Sequence, residues 1–123
     1  MPNTTKADIK DFVEAAHGNL AKVQELLAAN PDLLNLPNGN ETALGAACQM
    51  RRPDIIEFLL SQGAPLTLSA ACVLGQTDKV AEFIAADPAL LSKGDKQSHN
   101  KHPVYFAENQ LETLKWLKEK GAK

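Results

Sequence analysis

The strongest constraint on this chain is an apolar pattern that returns at nearly fixed intervals. Val23, Ile56, Val80 and Leu114 correspond, as do Leu26, Leu59, Phe83 and Leu117, and the terminators Asn30, Gly63, Asp87 and Gly121; each set is spaced 33, 24 and 34 residues apart. Each occurrence places its apolar residues at helical spacing on one face, so each reads as an amphipathic helix that needs a neighbour. A shorter helical pattern rich in small residues precedes it. Residues 42–64 show the pair most clearly: Leu44, Ala47 and Cys48 fall at i, i+3, i+4, then Ile55, Ile56, Leu59 and Leu60 at i, i+1, i+4, i+5. Pro53 suits the first turn of the second helix, and Gly63 suits the left-handed position after its end. One such pair cannot cover both of its apolar faces, so stability requires that pairs stack.

The rest of the chain repeats this unit with variations. Thr5 and Asp8 have the spacing of a capping box, and Ile9, Phe12, Val13 and Ala16 mark one face of a helix ending near Gly18. Asn19 caps the next helix, which carries Leu20, Val23, Leu26 and Leu27 and stops at Pro31. Residues 33–41, centred on Pro37, Asn38, Gly39 and Asn40, form a turn-rich arm. After Ala64, by contrast, Pro65 and Leu66 follow at once, and a short helix through Leu68, Ala71 and Cys72 ends near Gly75. The 24-residue step thus omits about nine residues, the length of an arm. Thr77 or Asp78 starts the partner helix with Val80, Phe83 and Ile84, closed by Asp87 and Pro88. Residues 92–101 carry the turn signals of a second protruding arm before a fourth helix pair. The expectation is one all-α domain over 1–123, with repeats at roughly 6–35, 36–64, 65–92 and 93–123, the third shortened.

Composition narrows the function. Aromatic residues are 5% of the chain, so the core must come from close helix contacts rather than large rings. A net charge of −2 lacks the concentrated cationic footprint that phosphate binding needs, so neither nucleic acid nor a membrane surface is an expected partner. No apolar run approaches a membrane helix in length and the first residues lack a secretory layout, which leads to an expected cytoplasmic location. Cys48 and Cys72 share a repeat position on adjacent inner helices, whose axes should lie about 8–10 Å apart. A disulfide needs Cα atoms closer than about 7 Å, so both are expected as reduced core thiols. His99 and His102 form an HxxH pair on a loop without an acidic or Cys partner, short of the four ligands of a closed metal site. His17 reads as a solvated or capping residue at the end of the first helix. No nucleophile with a base and no phosphate-cradling loop can be assembled, and Glu57, Glu82 and Glu108 fall on different faces. No catalytic residue, metal or cofactor is expected.

A family resemblance adds to this reading. Thr42-Ala43-Leu44-Gly45-Ala46-Ala47 resembles the TPLHxA motif of the ankyrin repeat at Thr, Leu and Ala, and His102-Pro103-Val104-Tyr105-Phe106-Ala107 resembles it at Pro and Ala. Leu68 and Ala71 keep part of it in the third repeat. With the period near 33, the paired helices and the terminal Gly-Ala, residues 12–122 resemble four degenerate ankyrin repeats. Gly45 and Ser69 stand where the family's His would brace the turn, and Lys118 takes the place of Leu27, Leu60 and Ile84, as expected of a terminal repeat facing water.

The resemblance implies an all-α solenoid whose concave face binds a protein or peptide. Its lining would be Gln49, Met50, Val73 and Leu74 near the ends of inner helices, with Asn38, Gly39 and Glu41 on the first arm and His99 and Lys101 on the second. Tyr105 and Glu108 would extend the stripe. Two outcomes are open for Met50, Val73 and Leu74: an apolar anchor uncovered by the missing arm, or side chains buried as the truncated repeat tilts. The alternative function is a dedicated inhibitor or regulatory subunit that lays the basic 92–101 arm, with Lys93, Lys96 and Lys101, over an acidic site. From Ser92 onward seven Lys face four acids. A monomer is expected in isolation.

Overall fold

The computed structural model describes residues 4–93 and 102–122. Among these residues the fold is all-α: α1 (Lys6–Ala15), α2 (Leu20–Ala29), α3 (Ala43–Gln49), α4 (Pro53–Ser61), α5 (Leu68–Leu74), α6 (Thr77–Ala86), α7 (Leu90–Lys93), α8 (Pro103–Phe106) and α9 (Leu111–Glu119). An isolated antiparallel bridge joins Asn38 and Glu41 at the first arm. No helix among the described residues is long and apolar enough to cross a membrane. The chain forms two compact units, Met1–Pro65 and Leu66–Lys123.

In the first unit α1 pairs with α2 and α3 with α4, while α1 packs on α3 and α2 on α4. The second unit repeats the scheme, with α5 against α6, α8 against α9, α5 on α8 and α6 on α9. Helix starts follow side-chain chemistry. Thr5 and Asp8 form the expected capping box at 3.0 and 3.1 Å, Asn19 accepts the Lys22 amide, and the Thr42 and Thr67 hydroxyls accept the amides of Gly45 and Ala70. The arm missing between the second and third repeats is visible in the chain path: α4 ends at Ser61 and α5 begins at Leu68.

The core is built from the amphipathic faces read in the sequence. Phe12, Val23, Ile55, Ile56 and Leu59 are buried in the first unit, and Leu68, Val80, Phe106 and Leu117 in the second. Each such side chain contributes about 1.5–3 kcal/mol by leaving water. Residues 43–48 of α3 and 68–73 of α5 are buried at every position. Cys48 and Cys72 are buried and not disulfide-bonded. In the fourth pair the buried position is polar, since Thr113 is enclosed and its hydroxyl meets that of Thr77 at 2.6 Å, while Leu114 is half-buried.

Two local features were not expected. After α2, Asn30 accepts the Asp32 amide at 3.2 Å and the chain makes a 3-10 turn over Pro31–Leu33. After α6, Asp87 accepts the Ala89 amide at 3.3 Å and the chain makes the short α7. Both are Asx-Pro-x-Leu-Leu segments, in which the Asx side chain starts a new turn where Pro has stopped the preceding helix. The second feature is Arg51, which has φ +50 and is the only non-glycine with positive φ among the described residues. It stands 24 residues before Gly75, which has φ +72. Both occupy the left-handed bend between the helices of a pair.

These paired bends give predictions of opposite sign. A left-handed non-glycine costs about 1–2 kcal/mol, offset in part by the larger unfolded-state freedom of Gly, so Arg51→Gly should raise stability by about 0.5–1 kcal/mol. Gly75→Ala adds a Cβ that runs into the Gln110 side chain on a backbone L residues avoid, and should lower stability by about 1–3 kcal/mol. Urea denaturation of both variants checks the signs; a destabilised Arg51→Gly would show that its side chain contributes more than its backbone costs.

Candidate partner-binding face

The residues expected to bind lie on helix ends and an arm, some in each unit. In the first unit the arm tip is a two-residue reversal: the Asn38 amide donates to the Glu41 carbonyl at 2.8 Å, and the Glu41 amide donates to the Asn38 carbonyl at 3.2 Å. Gly39 supplies the required positive φ of +66, and a Cβ there would meet nothing within 4 Å. Asn38 and Gly39 are exposed, whereas Glu41 turns inward as a half-buried residue. Its carboxylate lies 3.4 Å from Nε2 of His17 at the end of α1. His17 caps that helix, with Nδ1 3.0 Å from the Val13 carbonyl oxygen. The capping reading of His17 therefore holds, and its reach to the arm is an addition.

α3 carries Gln49 and Met50 at its C-terminus, the other end of that helix from Thr42 and the arm. Gln49 is half-buried, and Met50, the residue closing α3, is 52% exposed. It is the one large apolar side chain left exposed in the described part of this unit. Behind it Arg52 anchors the bend. Its Nη1 donates to the Gly18 carbonyl at 3.1 Å, and its Nε and Nη2 donate to the two oxygens of Asp54 at 3.2 and 3.0 Å. The hydrogen bonds from Arg52 hold the Asp54 carboxyl below the usual carboxylate range. Because the folded value is depressed, this contribution is present above the ordinary carboxylate range and is lost as pH falls through the folded value. Both side chains are well exposed, which keeps it small.

In the second unit the expected lining divides. Val73 is 5% exposed, so of the two outcomes open for it burial holds and it is no part of an exposed apolar patch: it lies within a helix buried at every position from 68 to 73. Its carbonyl accepts a 2.9 Å hydrogen bond from Nε2 of Gln110. Leu74 is half-buried, and Glu108 is exposed. Tyr105 is half-buried, its ring edge-on to Phe106 at 5.0 Å and 88°. His99 and Lys101 lie outside the described residues, as does most of the basic 92–101 arm.

Arg52 and Gln110 were not singled out by sequence reasoning, yet they do the same job. Each sits in the linker before an outer helix and donates to a carbonyl at the end of the preceding pair's inner helix. The signal was available, because helix C-termini leave unpaired carbonyls and long donors at a fixed repeat position are the means to satisfy them. Among the described residues no three His, Cys, Asp or Glu side chains are grouped so as to hold a metal ion.

Comparison with known families completes the picture. Residues 12–60 match the family model described as ankyrin repeats (many copies). The matched stretch carries α1 to α4, two helix pairs stacked first helix on first and second on second. Repeats of this kind generally mediate protein–protein interaction and are typically not enzymes, and over residues 12–60 this chain is similar to them.

Proposed function

We propose that this protein is a non-catalytic binder that captures a protein or peptide segment through the first arm and the exposed end of α3. Asn38, Gly39 and Glu41 form the polar rim, Gln49 is a further polar contact, and Met50 is the apolar anchor. In the second unit, Leu74, Tyr105 and Glu108 are further contacts in this reading. The carrying observation is Met50. A large, flexible, 52% exposed apolar side chain stands at a helix end, followed by a residue kept in a left-handed conformation that glycine would adopt at less cost. Interfaces concentrate their energy in a few such desolvated side chains surrounded by polar groups. The net charge of −2 supports a protein or peptide partner over a nucleic acid. The two buried cysteines without a disulfide support a reducing compartment such as the cytoplasm.

Met50→Lys is the test, because a cation at a helix C-terminus is tolerated by the helix while the apolar anchor is lost. Quantitative capture from an extract of the native host should fall at least about tenfold, with stability within about 0.5 kcal/mol of the parent. Undiminished capture, or a collapse of the fold, contradicts the assignment.

A further inference from the structure

We infer that the outward face of α9 is a second docking surface, shaped for an amphipathic helix of a partner protein whose apolar stripe is flanked by carboxylates. It lies in the second unit and shares no residue with the arm and the α3 end assigned above.

α9 carries two stripes of different chemistry. Thr113 and Leu117, four residues apart, are buried, with the Thr113 hydroxyl meeting that of Thr77 on α6. Leu111, Leu114, Lys115 and Lys118 fall at i, i+3, i+4 and i+7, which places them together on another face. With Glu119 they line an open groove of about 410 Å³. Leu114 is half-buried, and Leu111, at 83%, is the most exposed large apolar side chain among the described residues.

The repeats themselves show what kind of element fits there. α2 and α6 each have the second helix of the following pair packed on them, α4 and α9 respectively. Val23 and Val80, the counterparts of Leu114, are fully buried. Among the described residues no helix follows α9, and its counterpart position stays partly open. The stripe from i to i+7 runs about 10 Å, so a helix of two to three turns covers it.

Charge selects the chemistry of that helix. Two ammonium groups and one carboxylate line the groove. The other charges of α9 are directed elsewhere: Glu112 lines a separate polar hollow with Thr77, Asp78 and Lys79 at the start of α6, and Lys120 lies over the Trp116 ring at 5.6 Å. The lysine stems extend the apolar surface of Leu111 and Leu114 while their heads stay in water at the rim. A helix with leucine-like side chains on one face and Asp or Glu beside them meets both features. A second copy presenting the same stripe does not. A two-fold interface sets a patch against itself, and would bring Lys115 and Lys118 up to the same lysines.

The experiment is an amide NMR titration of the intact protein with two synthetic peptides of about 16 residues, long enough for partial helicity. Both carry leucines at helical spacing; one has Glu and the other Lys at its charged positions. The Glu peptide should shift α9 amides and bind at least about tenfold more tightly than the Lys peptide. Leu111→Ser, at a position exposed enough to spare the fold, should weaken that binding at least about fivefold. The double variant Lys115→Glu/Lys118→Glu should invert the preference between the peptides. No binding of the Glu peptide, equal affinity for both, an unchanged affinity in Leu111→Ser, or shifts centred on first-unit amides overturns the inference. Concentration-dependent self-association that Leu111→Ser abolishes overturns it too, since the occupant would then be a second copy. The readout lies in α9, so failure here leaves the Met50 site untouched, and undiminished capture by Met50→Lys leaves this surface untouched.

Discussion

A seven-residue helix made of Ala, Gly, Cys, one Leu and one Gln cannot hold itself together in water, where isolated helices need about 12–15 residues even with favourable sequences. α3 and α5 are both of this length and both lack bulky side chains over most of their run. Their stability must come from what covers them, and residues 43–48 and 68–73 are indeed buried throughout. Small side chains let neighbouring backbones approach closely, which is how a chain with few aromatic residues reaches a dense core. The second helices of the pairs supply larger apolar groups, such as Ile55, Ile56 and Leu59 in α4.

The ends of the inner helices matter as well, because their last carbonyls have no helical donors and a side chain from the next pair supplies one at the end of α1 and at the end of α5. Arg52 reaches back to Gly18 and Gln110 to Val73, each from the linker before an outer helix. The same arrangement leaves the bend between paired helices at the surface, where side chains such as Met50 are freed from packing. Function and stability therefore meet at the bend: its backbone is constrained by the stack, and its side chains are available for contact.

Periodicity made most of the fold legible before any coordinates. Val23, Ile56 and Val80 recur because the outer helices bury the same face in each repeat, and helical spacing betrays that face directly. Thr5 and Asn19 were readable as caps because their chemistry is local. What escaped reading depends on backbone angles or on partners distant in sequence. Arg51 is left-handed although nothing in its side chain says so, and only its alignment with Gly75 hints at it. The turns after Asn30 and Asp87 were missed because Asx-Pro was read as a stop and not also as a start. Val73 stayed open between surface and core because sequence position marks the end of a helix but not how far its neighbours cover it. Thr113 broke the apolar rule because a hydroxyl on Thr77, 36 residues earlier, satisfies it.

Binding by the first arm and the end of α3 is the central claim, resting on the exposed Met50 and the strained bend after α3 and on the ordered Asn38–Glu41 reversal before it. Placing a photoactivatable residue at position 38 or 50, with position 57 on the exposed side of α4 as comparison, tests it most directly. Adducts with the partner from positions 38 and 50 and none from 57 are the predicted result; adducts from 57 without any from 38 or 50 would contradict it.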